Sequence, residues 1–154
     1  MMRLALACVL GVFLSSASAA QSVTGTYKLT SFTTNFTNGS TAESFGRQPS
    51  GYVIITPTRF MTIFVADTRA AGTTTDAKVA LYNSLISYTG LYHVEGSKLI
   101  TDVDVSWNQT WTGTSVQRTF TIEGSRLTLV TDPAPTALDP TRTASSRLTW
   151  ERVE

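Results

Sequence analysis

Apolar and polar side chains alternate with a period of two along much of this chain, and pairs of turn-forming residues interrupt the alternation. Two such units follow one another: residues 88–95 and 98–106 around Gly96-Ser97, and residues 116–123 and 126–131 around Gly124-Ser125. Alternation is typical of a strand with one buried face, and a glycine supplies the positive φ that a two-residue hairpin turn needs. The pattern therefore predicts antiparallel hairpins.

Further segments of the same kind bring the predicted strands to eight. In chain order they are residues 24–34, 51–56, 59–65, 88–95, 98–106, 116–123, 126–131 and 145–153. A chain of 154 residues suits a single domain, and its frequent threonines fit a β-rich structure. Closure of such a sheet removes its edges, and an eight-stranded barrel has room inside for side chains or one small ligand. We therefore expect an all-β fold, an eight-stranded antiparallel up-and-down barrel.

One segment, residues 76–86, has the period of a helix. Its apolar residues share one stripe at Val79, Tyr82, Leu85 and Ile86. Thr75 can cap this helix, and Asp76 suits its first turn because a carboxylate is stabilised near a helix N-terminus. We expect one short helix over an end or a side of the barrel. The predicted strands at residues 51–56 and 59–65 are apolar on both faces, so a second layer such as this helix could cover their outside.

The N-terminus has the pattern of a secretory signal peptide. Arg3 precedes an apolar run at residues 4–14, and the small residues at positions 15–20 suit a cleavage site. The run is too short to span a membrane. A buried N-terminal helix and a membrane anchor are the alternatives. We expect residues 1–20 to be a cleaved signal peptide and residues 21–154 to be the barrel domain, secreted or periplasmic, with no integral membrane segment after cleavage.

Charge and composition argue against several classes of function. Twelve Lys and Arg against eleven Asp and Glu leave a formal charge of +1, so no basic surface for nucleic acid is expected. The one cysteine, Cys8, lies in the leader, and a single histidine argues against a zinc site. His93 falls on the outward phase beside Glu95, and Asp102 and Asp104 also point outward. We predict no catalytic residue, no metal and no cofactor; whether the protein is an enzyme stays open, with binding favoured over catalysis.

Alternation also predicts which side chains face the barrel interior. The expected wall of a ligand pocket comprises Tyr92, Val103, Val105, Phe120, Leu129 and Trp150, with Trp107 and Trp111 at the mouth. Arg118 falls on the inward phase near that mouth, where a guanidinium could meet a ligand carboxylate or carbonyl. A structural ion pair or hydrogen-bond network inside the barrel is the other role considered for Arg118, and it is the one favoured by the cost of burying a lone guanidinium. Arg152 is expected to close the barrel base by stacking on an aromatic ring such as Tyr27.

Six short phrases occur in order along nearly the whole chain after the leader. They are GTYKL at residues 25–29, GYVIITP at 51–57, GLYHV at 90–94, WTGTSVQR at 111–118, RLTL at 126–129 and LTWERV at 148–153. Together they resemble the bacterial and fungal lipocalin-like domain family. The resemblance implies a lipocalin-type β-barrel for a small apolar molecule, with Tyr27 in the place of an aromatic ring that a late arginine covers. Family members often carry histidines in the strand corresponding to residues 99–106; this chain has none there, so no role of those histidines is carried over.

Binding of a small hydrophobic or amphipathic molecule inside the barrel is the first functional hypothesis. The alternatives are a cofactor-free isomerase or cyclase acting on a natural product, and a non-catalytic structural or interaction module. An Arg118 unpaired by any carboxylate would favour the isomerase or cyclase, and an interior packed solid would favour the structural module. Acceptor triplets for N-glycosylation start at Asn35, Asn38 and Asn108; their use, the ligand and the oligomeric state are left open by the sequence.

Overall fold

A computed structural model of the chain describes residues 22–69, 71–136 and 141–154. The signal peptide predicted at residues 1–20 lies outside the described residues. The elements are β1 (Gly25–Phe36), β2 (Thr41–Ala42), β3 (Ser50–Ile55), β4 (Arg59–Val65), α1 (Thr75–Asn83), β5 (Leu85–Glu95), β6 (Lys98–Ser106), a 3-10 turn (Gln109–Trp111), β7 (Ser115–Glu123), β8 (Arg126–Val130), β9 (Ala134–Pro135) and β10 (Thr143–Arg152).

Eight long strands form a closed ring. They pair antiparallel in the order β1-β3-β4-β5-β6-β7-β8-β10, and β10 pairs with β1. This closing ladder runs from Tyr27 opposite Arg152 to Phe36 opposite Ala144. The short strand β2 pairs with the C-terminal end of β1, and the short strand β9 pairs with the N-terminal end of β10. The predicted all-β fold, an eight-stranded antiparallel up-and-down barrel with one short helix, is confirmed.

A bulge interrupts the alternation of β6. The pairing with β5 passes from Val103 opposite Gly90 to Val105 opposite Thr89, so one extra residue stands on β6. Gly90 permits this close approach, because a Cβ at that position would collide with the backbone of β6. Beyond the bulge Val105 is 63% exposed. The predicted inward placement of Val105 is therefore wrong, since the prediction assumed an unbroken period of two.

Large side chains fill the barrel toward the end where β1 begins and β10 ends, which we call the closed end. The side chains that are at most 2% exposed there and in the middle of the barrel include Tyr27, Val53, Ile55, Phe60, Leu99, Leu127, Leu129 and Trp150. Burial of apolar surface is the main driving force of folding. This packed interior is therefore the main source of stability of the domain.

Arg152 seals the closed end. Its guanidinium carbon lies 4.6 Å from the centre of the Tyr27 ring, and its Nη1 donates to the Thr24 carbonyl at 2.7 Å. Nη2 donates to the Tyr27 hydroxyl, which itself donates to the Val23 carbonyl at 3.0 Å. Gly25 leaves room for this arrangement, because a Cβ on it would collide with the guanidinium. The prediction that Arg152 closes the base on Tyr27 is confirmed.

The predicted helix is present as α1, with different bounds. Its N-cap is Thr74 rather than Thr75, and the Thr74 side chain accepts a hydrogen bond from the Ala77 amide at 3.3 Å. Leu85 and Ile86 pair with β4 and belong to β5, so the predicted apolar stripe is divided between a helix and a strand. None of the residues of α1 is buried. In the described part of the chain no helix has the length and apolar character needed to cross a membrane.

The outer faces of β3 and β4 are not covered by the helix. Tyr52 lies opposite Ile63 and Ile54 opposite Met61, and these four side chains are 42% to 49% exposed. The second layer considered for this wall is therefore not found among the described residues. The apolar residues on both faces of these strands reflect a buried inner face and an exposed outer one.

Leu127→Ala should destabilise the barrel by about 2–5 kcal/mol, the usual cost of truncating a buried leucine. Leu127 is fully buried and lies opposite Trp150 on β10, so its truncation leaves a void in the packed interior. Urea unfolding followed by circular dichroism measures the change. Leu91→Ala is the control: Leu91 is 55% exposed, and its truncation should change stability by less than about 0.5 kcal/mol. Equal free energies of unfolding for the two variants would contradict the packed interior.

Candidate functional site

A cavity of about 540 Å³ occupies the open end of the barrel, opposite the end that Arg152 closes. Its wall is formed largely by β1 and β10, and its rim by α1, the connection between β6 and β7, and the connection between β8 and β10. The side chains that shape it include Phe32, Thr34, Phe36, Phe45, Tyr82, Trp107, Trp111, Arg118, Ala144, Ser146 and Leu148. The cavity is thus built by elements that lie far apart in the sequence.

The sizes of the inward side chains along β10 explain why the space lies at this end. From the closed end to the open end these residues are Trp150, Leu148, Ser146 and Ala144. Trp150 and Leu148 are fully buried and fill the interior. Serine and alanine are too small to reach across the barrel, so the interior between Leu148 and the open end is not filled by side chains of β10.

A bulge in β1 turns an aromatic ring toward the cavity. The ladder with β10 shifts register between Leu29 and Ser31. Tyr27 and Leu29 are buried before the bulge, and Phe32 and Thr34 are buried after it. An unbroken alternation would have placed Ser31 inward instead. The bulge therefore adds Phe32 to the wall that faces β10.

Aromatic rings surround the cavity on two sides. One cluster consists of Phe32, Phe45 and Phe64, with ring centres 4.8 to 5.6 Å apart. On the rim, the rings of Trp107 and Trp111 meet nearly at right angles with centres 4.9 Å apart. The Trp107 indole nitrogen is buried and has no hydrogen-bond partner in the described structure. Offset and edge-on ring contacts of this kind hold large apolar surfaces in place.

Arg118 is the only charged side chain that is buried in the described part of the chain, and it lines the cavity at 4% exposure. It lies on β7 opposite Leu99 of β6. Its guanidinium carbon is 5.5 Å from the centre of the Tyr88 ring. Its Nε and Nη1 have no hydrogen-bond partner among the residues that the structure describes. The structural ion pair considered as the alternative for Arg118 is not found within those residues.

Tyr88 lies beside this guanidinium as a neutral group. Its hydroxyl is buried and unpartnered among the described residues. Burial raises the pKa of Tyr88 above its ordinary value, and the Arg118 guanidinium opposes this rise with a smaller effect. Because the phenol keeps its proton at neutral pH, Tyr88 cannot neutralise the charge on Arg118.

Two other charged residues line the described part of the cavity. The Asp132 carboxylate accepts hydrogen bonds from Lys98 Nζ at 2.9 Å and from Gln117 Nε2 at 3.3 Å. The Arg142 guanidinium lies 3.5 Å from the centre of the Phe36 ring. The one described carboxylate at the cavity is therefore already engaged, and the described lining carries an excess of positive charge.

The nine predicted site residues differ in their depth along the barrel. Three line the cavity: Trp107, Trp111 and Arg118. Four face inward but pack in or against the filled core: Val103, Phe120, Leu129 and Trp150. Tyr92 lies toward the closed end, where its hydroxyl donates to the Thr56 carbonyl at 3.0 Å, and Val105 lies on the outside. These last six residues do not line the cavity, because alternation gives the face of a residue but not its depth along the barrel.

Sequence reasoning missed most of the actual wall. The missed residues include Phe32, Phe36, Tyr82, Ala144 and Ser146. The run of inward residues along β10, from tryptophan to alanine, is visible in the sequence and could have located the open end. No sequence pattern signals the bulge that turns Phe32 inward.

Polar residues on the outer wall make surface contacts. His93 Nε2 lies 3.4 Å from Glu95 Oε1, and Arg59 Nη1 lies 2.7 Å from Asp104 Oδ2. Asp102 is also exposed, as its outward phase predicts. Searching the described residues for clusters of three or more metal-binding side chains finds none.

Comparison with known proteins agrees with this architecture. A family model for the lipocalin-like domain matches residues 24–153. A search of curated proteins returns no match. The family match covers all eight long strands of the ring, from the start of β1 to the end of β10. The closed barrel and this match together show that the chain belongs to the lipocalin-like domain family.

Proposed function

We propose that the protein binds a small hydrophobic or amphipathic molecule in the cavity at the open end of the barrel. The observation that carries the proposal is the cavity itself, with a volume of about 540 Å³. Small-molecule sites typically measure about 300–1,000 Å³ and are mostly apolar with a few polar groups. A purely structural or interaction module would have no need of this space, and that alternative is less favoured.

The chemistry of the lining supports an apolar body for the ligand. Phe32 and Leu148 form the inner wall, and Trp107 and Trp111 form part of the rim. Transfer of an apolar molecule from water to such surroundings is favourable in proportion to the area that leaves water. Arg118 is the candidate polar anchor, since it is the buried cation that lines this cavity and two of its nitrogen atoms have no hydrogen-bond partner among the described residues.

Ser146→Phe should abolish binding, and Ser145→Phe should leave it intact. The two serines are neighbours on β10, but only Ser146 lines the cavity. A phenyl ring at position 146 would occupy the space that the ligand needs. The measurement is quenching of tryptophan fluorescence during titration with fatty acids, retinoids and polyketides. Trp107 and Trp111 report on the cavity, whereas Trp150 lies in the packed interior.

Two outcomes would contradict binding at this site. Saturable quenching by none of the compounds would argue against a ligand-binding function. Equal quenching in the two serine variants would place the binding site elsewhere on the protein.

A cofactor-free isomerase or cyclase is the second candidate function. The observation that favours it is the buried guanidinium of Arg118, which is paired with no carboxylate among the described residues. A buried donor of this kind could stabilise negative charge that develops on a carbonyl oxygen. The cavity would at the same time hold the substrate in a reactive conformation.

Analysis of the bound compounds separates these two candidates. Each compound that quenches fluorescence is recovered after incubation and examined by chromatography and mass spectrometry. A product of unchanged mass and altered retention would indicate isomerisation, and Arg118→Gln should slow its formation about 100-fold or more. Recovery of unaltered compounds would leave binding as the function.

We also propose that the domain acts outside the cytoplasm after removal of a leader. The basic start, the apolar run and the small residues that follow it support this assignment. Expression of the full chain in a host with an export pathway should yield protein that lacks residues 1–19 or 1–20, as measured by intact mass. Recovery of the uncleaved chain from the cytosol alone would contradict the proposal.

A further inference from the structure

We propose that the cavity is selective for amphipathic carboxylic acids, with the carboxylate bound by the guanidinium of Arg118 and the apolar body held by the aromatic wall. This inference rests on the proposed binding function and adds the chemical class of the ligand. Arg118 is a buried cation without a hydrogen-bond partner for two of its nitrogen atoms among the described residues, and the charged residues at the rim are Asp132 and Arg142.

Arg118 carries a positive charge in a buried position. A guanidinium stays protonated at any physiological pH, so burial cannot be relieved by loss of a proton. Arg118 is 4% exposed, yet its Nε and Nη1 have no hydrogen-bond partner among the described residues. A buried charge is normally paired, because removing it from water without compensation is strongly unfavourable. Within residues 22–69, 71–136 and 141–154 these donors therefore have no acceptor.

Tyr88 and Leu99, which adjoin Arg118, supply no anionic acceptor. The Tyr88 ring offers its face at 5.5 Å, which attracts a cation but accepts none of the in-plane hydrogen bonds of the guanidinium. The Tyr88 hydroxyl stays neutral. Leu99, the cross-strand neighbour on β6, has no polar side-chain atom. The surrounding described side chains thus hold the guanidinium in place without neutralising it.

Asp132 and Arg142 are the charged residues described at the rim of the cavity. Lys98 contacts both carboxylate oxygens of Asp132 at 2.9 Å, so that acid is already paired. Arg142 adds a second positive charge above the Phe36 ring. An anion that enters the cavity would therefore be attracted at the rim and paired at Arg118.

The chemistry of the site suits a carboxylate attached to an apolar body. A guanidinium presents parallel N–H groups whose spacing matches the two oxygens of a carboxylate. Phe32, Leu148 and Trp111 surround the remaining space with apolar surface. A molecule with one planar anionic group and an apolar body satisfies both parts of this site. A small hydrated anion satisfies only one of them.

The test compares ligands that differ only in charge. Dodecanoic acid and methyl dodecanoate have the same apolar chain and are titrated against the wild-type protein by tryptophan fluorescence and calorimetry at neutral pH. We expect the acid to bind about ten-fold or more tightly than the ester, because a charge-assisted hydrogen bond is lost in the ester. Arg118→Gln should remove this preference, and Arg118→Lys should retain part of it.

A second measurement separates a binding role of Arg118 from a structural one. Arg118→Gln removes a buried charge that has no ion-pair partner in the part of the chain that the structure describes. The ligand-free variant should therefore unfold at a urea concentration equal to or higher than that of the wild type. Arg147→Gln is the control for net charge, because Arg147 lies exposed on the same barrel and does not line the cavity. It should leave the preference for the acid unchanged.

The outcomes distinguish this inference from the proposed function on which it rests. Equal affinity of the wild type for acid and ester would overturn the carboxylate assignment and leave the binding function standing. No binding of either compound, or of any other amphiphile tested, would overturn both. A lower urea midpoint for Arg118→Gln, with the acid preference unchanged, would assign Arg118 a structural role and also overturn the inference.

Discussion

The ladder between β1 and β10 is the contact on which the rest of the structure depends. It joins the first and last long strands of the ring and removes the two edges that an open sheet would expose. Once the ring is closed, its diameter is fixed by strand number and stagger. Every inward side chain then has to fit the same interior. The packed core, the cavity and the buried guanidinium are all consequences of how these side chains share that space.

Side-chain volume decides where the fixed interior is full and where it is empty. Around Trp150 and Tyr27 the aromatic and branched side chains contact one another across the barrel interior. Arg152 covers them at the closed end. Around Ala144 and Ser146 the inward side chains do not contact one another across the interior, and the cavity remains between them. The bulge in β1 supplies Phe32 to this region, which gives the empty part an aromatic wall. The same closed sheet therefore encloses a packed interior toward the closed end and a cavity at the open end.

The sequence predicts this fold well because a period of two is a local property. The alternation of residues 98–103 identifies a strand and its inward face. The two Gly-Ser turns show which consecutive strands are joined as hairpins. The prediction fails at Val105, because a bulge depends on how two strands approach each other at Gly90. It also fails at Leu85 and Ile86, whose apolar side chains fit the helical stripe of residues 76–86 but pair with β4 instead.

The site is predicted less well, for two physical reasons. The first is that alternation carries no information about depth along the barrel axis, so Leu129 and Trp150 in the core look the same as residues of the cavity wall. The second is that a cavity is defined by side chains that are small, and Ala144 and Ser146 carry no chemistry that would draw attention to them. Arg118 was identifiable because a charged residue on an inward phase is unusual.

The gradient of side-chain size along β10 has a consequence for how such a protein can change. One small residue can replace another at positions 144 and 146 without disturbing the packed interior. Trp150 and its neighbours make their contacts closer to the closed end. Exchanges of small residues at these two positions should therefore alter which molecules fit while the folding free energy stays nearly constant. A lineage built on this barrel can diversify its ligands through the side chains at a few positions of the cavity wall, since the large side chains that fill the core lie toward the opposite end.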